Sequence, residues 1–326
     1  MKYSLLSPSF LPIICSALWL SCQGSTAPFN EKTSELIELK VTEGTNMAVA
    51  LSPDGNTLAF DLLGRIWLMP VSGGAGQPIT DSLGNARQPS WSPDGKKLTF
   101  QGYWQGNWHI YIVNADGSNL KQMTSGDYDY REPHWSPDGT TLAFSSDRSG
   151  NYDIWTLDVV GEQLISFTSS PTNEYGPTWS PDGQNLAFVS SDKASGKILI
   201  RSTINDSEQT IYNGHGKLTG ISWSPTGKQL LFNEHAGIEA ALKQINPETG
   251  HLQTLSGPLE DVFPFRHSWQ SDSSFIYTST GKILSKTGDA PATEIAFEVN
   301  LWLNRSPYQR KKRNFDEIQA QAVKGI

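Results

Sequence analysis

The feature that most limits what this chain can fold into is a five-residue segment that keeps returning. Trp91-Ser92-Pro93-Asp94-Gly95 recurs at Trp135 to Gly139 and at Trp179 to Gly183, then with one change as Trp223-Ser224-Pro225-Thr226-Gly227. A copy with Leu51 in the tryptophan place comes before them, and one with an eroded turn follows at Trp269. The residues after the aromatic position, Ser52, Ser92, Ser136, Ser180, Ser224 and Gln270, stand 40, 44, 44, 44 and 46 residues apart. A period of this length is that of one propeller blade.

The third copy shows what each repeat contains. A short apolar entry ends at Trp135, Ser136 to Gly139 turn the chain, and "TTLAFSSD" supplies a second strand. After a turn at "SGN", "YDIWTLDV" alternates as a third strand and "LISFTSS" closes the unit. In the turn, Pro137 presets φ, Asp138 tolerates the bridge region and Gly139 takes the positive φ that realigns the hairpin. The fold expected is all-β, a six-bladed β-propeller of four-stranded antiparallel blades, with a partial seventh blade as the alternative. Trp91, Trp135, Trp179, Trp223 and Trp269 are expected to fill the wedges between blades, because each indole buries a large area. Phe60, Phe100, Phe144, Phe188 and Phe232, eight residues after their markers, belong to the same core.

Ring closure is the open point. Leu36 to Glu43 suits the outer strand of the last blade, which would remove exposed edges. Ala292 to Val299 competes for that place. The propeller is assigned to residues 36–300.

Both ends read as separate segments. Lys2 and the proline-broken apolar stretch from Leu5 to Leu20 have the form of a secretory signal over residues 1–22. Leu20-Ser21-Cys22 resembles a bacterial lipobox, which implies acylation of Cys22, outer-membrane sorting through Gln23 and a periplasmic propeller. Ordinary cleavage near Gly24 is the alternative. Residues 23–35 look like a tether. At the other end, residues 301–326 read either as a tail or as the start of a truncated second propeller, because "IQAQAVKGI" parallels "IELKVTEGT" ahead of the first repeat.

The repeat "P-x-W-S-P-D-G-x-x-L-A-F", with "SSDRSGNYDIW" at Ser145 to Trp155 and "NADGSNLKQMT" at Asn114 to Thr124, resembles the TolB-like relatives of WD-type propellers over residues 40–297. That resemblance implies a periplasmic module binding partner proteins at the mouth of its channel. Similar propellers also form the front part of amidohydrolases, tricorn-like proteases and prolyl-oligopeptidase-type enzymes.

No catalytic residues or cofactor are expected. The six histidines show neither H-x-H nor H-E-x-x-H spacing. His134 and His267 sit one place out of phase relative to their repeats, so strand alternation is expected to keep them off a common face. "GGAG" at Gly73 to Gly76 reads as a turn. A net charge of −8 argues against nucleic acid, and the basic run Arg310 to Arg313 is followed by Asp316 and Glu317. A membrane is reached only through the N-terminal lipid.

Function therefore falls to the surface, at positions that vary while the repeat stays constant. The segments just before each inner strand vary most, and in a propeller they ring one channel mouth. They carry Arg87, Gln88, Tyr130, Arg131, Glu132, Glu174, Tyr175, Lys217, Phe265, Arg266 and His267. Tyr and Arg are enriched in binding hot spots, so these residues are the candidate contacts for a protein or peptide. The plainer use of Arg131 and Glu132 is pairing with each other or with a neighbouring blade.

Overall fold

The computed structural model describes residues 35–305, apart from 82–83, 193–194, 238 and 258–259. Each repeat has become one antiparallel sheet. In the third, Tyr130–Trp135, Thr141–Ser146, Asp153–Asp158 and Leu164–Ser166 pair in chain order, and the other repeats follow the same plan. The described residues contain six such four-stranded sheets, whose innermost strands are Val49–Leu51, Arg87–Trp91, Tyr130–Trp135, Asn173–Trp179, Lys217–Trp223 and Ser268–Ser271.

The repeated turn is held by its own side chains. The glycine amide bonds the marker serine carbonyl at 2.9 Å in all five intact copies, with φ between 69° and 75°. Ser136 Oγ donates to Asp138 at 2.6 Å and accepts the Thr141 amide at 2.9 Å, and the same pair of bonds recurs at Ser52, Ser92 and Ser180. The serine hydroxyl in each case holds Asp54, Asp94, Asp138 and Asp182 below the usual carboxylate range. Where Thr226 replaces the aspartate, Asp272 of the next blade reaches across and accepts its hydroxyl at 2.7 Å.

Between blades the phenylalanines behave as expected: Phe60, Phe144, Phe188 and Phe232 are fully buried. The tryptophans do more than fill wedges. Trp135 is buried, whereas Trp91, Trp179, Trp223 and Trp269 are part-buried. The indole N–H of Trp91, Trp223 and Trp269 donates to a backbone carbonyl of the preceding blade, at Ala50, Thr178 and Ser222 respectively (3.1–3.3 Å).

The ends meet differently from the expected strand exchange. Glu35–Val41 does not complete the last blade, whose outer position is filled by Thr293–Glu294. It pairs instead with Phe297–Arg305, which runs parallel to Gly74–Ala75, so the glycine-rich stretch includes an edge strand. Phe297, Val299 and Leu301 drop into the core beside Phe60, Trp67 and Met69. The sixth blade touches the first through Ser268, whose Oγ accepts the Leu51 amide at 3.1 Å and donates to the Val49 carbonyl at 3.2 Å. One compact unit runs from Glu38 to Leu301. The signal and lipobox at 1–22, Cys22, the tether up to Ser34 and the tail beyond Arg305 lie outside the described residues.

If the serine is the turn's keystone, Ser136→Ala lowers the unfolding free energy by roughly 1–3 kcal/mol, since one buried hydroxyl serves two bonds. Ser207→Ala, at an exposed site, shifts it by less than about 0.5 kcal/mol. Urea unfolding monitored by tryptophan fluorescence separates the two.

Candidate functional site

Four inner strands carry one irregularity at the same place. Their register slips between Arg87 and Ser90, Arg131 and His134, Tyr175 and Thr178, and Thr219 and Ser222. Inside each slip the residue four before the marker has positive φ: 53° at Gln88, 59° at Glu132, 62° at Gly176 and 68° at Gly220. Only glycine fits at Gly220, where a Cβ would stand 2.3 Å from the Phe265 carbonyl oxygen. Glutamine and glutamate are disfavoured in this region by about 1–2 kcal/mol each, so something must hold them there. At three of the four, the bulge amide is taken by a side chain of the preceding blade. Gln88 donates to Asp61 at 2.6 Å, Glu132 to Gln101 at 2.8 Å, and Gly176 to Glu132 at 2.6 Å.

These bulges open a cavity of about 590 Å³ on the side away from the repeated turns. Six of the residues picked out from sequence line it: Gln88, Arg131, Glu132, Tyr175, Lys217 and Phe265. Tyr152, Asn173, Asp192, Gly176 and Gly220 share the wall.

The most built part of that wall surrounds Arg131. Its guanidinium bonds Asp129 Oδ2 through Nη2 at 2.7 Å and through Nε at 3.2 Å. It also lies 5.5 Å from the Trp108 ring centroid and 6.0 Å from that of Tyr152, which places a cation between two aromatic faces. Tyr152 donates its hydroxyl to Asp129 at 3.0 Å and packs on Tyr175, with ring centroids 5.0 Å apart. Burial works against the Asp129 carboxylate, but the Trp108 amide and Arg131 outweigh it and hold the group below its usual range. Arg131 and Glu132 therefore do not pair with each other. Arg131 pairs within its own segment, and the Glu132 carboxylate bonds the next blade.

The remaining sequence candidates lie elsewhere. Tyr130 is fully buried against Phe144, its hydroxyl donating to the Ser125 carbonyl at 3.0 Å. Glu174 is buried too, with Oε2 lacking a hydrogen-bond partner. Both occupy the position six before the marker, where the second and fifth blades have Ala86 and Leu218, also buried; the first and sixth have Asn46 and Pro264, both exposed. Strand alternation turns that position into the core, and the two apolar residues in register were the signal. Arg87 lines a separate cavity of about 520 Å³ with Asp61 and Asp261. Arg266 and His267 line a third cavity, at the end of the channel nearer the repeated turns. His134 lines it as well, so the two histidines do share a space; the inner-strand bulges reset the alternation that was expected to separate them.

Sequence reasoning missed Trp108 and Tyr152 because it examined only the segments before the inner strands. In antiparallel blades the hairpins between second and third strands reach the same end. Gly106-Asn107-Trp108 and Gly150-Asn151-Tyr152, 44 residues apart, carried the period there.

Burial pushes the Glu174 carboxyl up to about 7, with Asp153 adding repulsion and a Thr168 hydrogen bond opposing. A raised folded pKa means the native state holds the extra proton, so this group's contribution is present at low pH and is lost as pH rises from about 4.5 to 7. Glu174→Gln is expected to gain roughly 2 kcal/mol relative to the parent between pH 5 and pH 8. Melting curves of both proteins at the two values read this directly, and a constant difference would show that Glu174 titrates normally.

Comparison with known proteins agrees with this architecture. A family model described as the TolB beta propeller domain matches residues 29–139 and 128–282. An uncharacterized protein of Agrobacterium fabrum is 30% identical over 81 residues, covering 24% of this chain and only 28% of its relative. TolB from Acinetobacter baumannii superimposes with a TM-score of 0.62 at 18% identity, over 78% of this chain and 66% of that one. The tricorn protease gives 0.61 at 15% identity over 78% of this chain and 26% of its own, and a puromycin-hydrolyzing peptidase of Mycobacterium tuberculosis 0.55 at 15% over 80% and 45%. At such identities the shared property is the fold. With the repeat, the sheets and the family model in accord over most of its length, the chain belongs to the TolB beta-propeller domain family.

Proposed function

We propose that this chain is a non-catalytic, exported binding module that holds a protein or peptide segment in the 590 Å³ mouth cavity. The observation that carries this reading is the wall made by Arg131, Tyr152 and Tyr175, with Trp108 packed on Arg131, beside a strained Glu132. Non-glycine residues in left-handed backbone persist where surroundings over-determine them, and such strain gathers at functional sites. Large rigid aromatics around a guanidinium offer contact area at small entropic cost, as hot spots do. The likeness to TolB supports a periplasmic location, and the apolar N-terminus with Cys22 supports a lipid anchor in the outer membrane.

A second reading makes the chain the front propeller of a larger exported hydrolase. It is favoured by the parallel between "IQAQAVKGI" and the segment leading into the first repeat. An in-frame continuation with more Ser-Pro-Asp-Gly turns and an H-x-H motif at the native locus would decide for it.

The binding reading is tested by placing a photo-crosslinking amino acid at Tyr175 or, as control, at Ser273 beside the repeated turn of the sixth blade. One discrete adduct is expected from position 175 alone. Arg131→Ala should weaken capture by about tenfold or more, the effect of losing a hot-spot anchor, in protein that a melting curve shows to be folded. Equal crosslinking from both ends, or capture indifferent to Arg131, would refute the mouth as the site. For the anchor, an alkyne-tagged fatty acid is expected to label the parent protein and not Cys22→Ser; equal labelling removes Cys22 as the acceptor.

A further inference from the structure

The end of the channel nearer the repeated turns is a second chamber, about 250 Å³ in volume, to which every one of the six sheets contributes. Its wall is mixed: Trp91, Trp179, Trp223 and Trp269, with Pro181 and Pro225 of the turns, supply the apolar part, and Ser90, His134, Thr178, Ser222 and His267 the polar part. The first blade has Leu51 where four of these neighbours have tryptophan, and Leu51 lines the chamber too.

Arg266 separates this chamber from the mouth. Its side chain leaves the segment before the sixth inner strand and crosses to the third and fourth blades. There Nη1 donates to the Pro133 carbonyl at 3.3 Å and Nη2 to the Pro177 carbonyl at 2.8 Å. Glu132 and Gly176, one residue earlier, line the mouth; His134 and Thr178, one residue later, line the inner chamber. The guanidinium therefore lies at the boundary between them.

Among the described residues this cation has no direct ion-pair partner, and its Nε is buried without a hydrogen-bond partner. Glu132 acts on it electrostatically, but that carboxylate is engaged by the Gly176 amide. Burial lowers the guanidinium to about 10, which leaves it charged at neutral pH. The residue is half-buried, and a charge partly withdrawn from water is ordinarily paired, because an uncompensated one is costly. A second donor in the same wall is also unused. Trp179 Nε1 is buried without a partner, whereas the other three indoles in the wall bond the preceding blade. Separately, the backbone amide of Trp179 donates to His134 Nδ1 at 3.2 Å. His134 and His267 are held neutral by burial, so they do not compete with Arg266 for an anion.

We propose that the inner chamber is a binding site for a monocarboxylate with a small apolar body, its carboxylate on Arg266 and its hydrocarbon among the tryptophans and prolines. A single cation without a direct ion pair, with Glu132 acting on it only at a distance, accommodates no more than one further negative charge. A planar guanidinium matches a planar carboxylate, and aromatic walls disfavour a heavily hydrated multivalent anion. The carboxylate belongs either to a free acid or to the C-terminal residue of a polypeptide inserted from the turn side. This site is distinct from the mouth cavity and stands independently of the function assigned to it.

The tryptophans in the wall provide the readout. Isobutyrate added to the intact protein is expected to give a saturable change in intrinsic fluorescence, and isobutyramide, the same shape without charge, to bind about tenfold or more weakly. Leu51→Trp, which restores the repeat and fills the chamber, should abolish the isobutyrate response without lowering the melting temperature. Arg266→Lys, keeping the charge but losing the planar fork, should weaken it. A tripeptide ending in valine, with a free or an amidated C-terminus, identifies the source. Tighter binding by the free peptide than by isobutyrate points to a chain end, and binding of isobutyrate alone points to a free acid. Equal binding of acid and amide, no saturable response to either, or an unchanged response in a folded Leu51→Trp protein would overturn the proposal. The acid–amide comparison uses the parent protein, so it holds even if a variant fails to fold.

Discussion

The channel mouth depends on one hydrogen bond repeated at three successive blades: the bulge amide of an inner strand given to a side chain of the preceding blade. The acceptors at Asp61, Gln101 and Ser145 stand nine residues after their markers, at the far end of the second strand. A bulged amide has no partner in its own ladder, and leaving it unpaired in a buried place costs on the order of 1–3 kcal/mol. That penalty ties the blades to each other at a definite height. It also explains how Glu132 is kept in a backbone region it disfavours. Its amide is bound by the second blade and its carboxylate by the fourth, so a single residue of the third blade links three sheets.

The same stitching sorts the channel into two chemically different chambers. On the inner strands the residue at the bulge faces the mouth and the residue two further on faces the turn end. The mouth thus takes up glutamine, glutamate and glycine, with tyrosine and arginine alongside. The turn end takes up small residues, histidine and the tryptophan edges. Arg266 crosses between the two because the carbonyls it seeks, at Pro133 and Pro177, lie at the level where the strands change from one chamber to the other. A proline there has no amide to give, but its carbonyl remains free to receive a donor from across the ring.

The blade architecture was legible because the turn chemistry is local. Ser136, Asp138 and Gly139 satisfy one another within a few residues, so the same letters give the same geometry wherever they occur. The candidate site was only partly legible. Arg131, Glu132, Tyr175, Gln88, Lys217 and Phe265 came together as the segment argument implied. Tyr130 and Glu174, in the same segments, went into the core, and counting alternation against Ala86 and Leu218 would have shown it. Trp108 and Tyr152 belong to hairpins whose end of the blade is fixed only once strands are paired. Arg266 was misplaced for a different reason: its partners lie 133 and 89 residues away, on the opposite side of the ring.

The sequence alone determined the period, the turn chemistry, the phenylalanine core and which segments are free to vary, since all of these rest on interactions within one repeat. Tertiary structure decided which side of each varying segment faces the channel, how the ends meet through Ser268 instead of by strand exchange, and where Arg266 ends. Those outcomes depend on bulges that reset strand alternation and on contacts between blades, and neither is written in the spacing of residues along the chain.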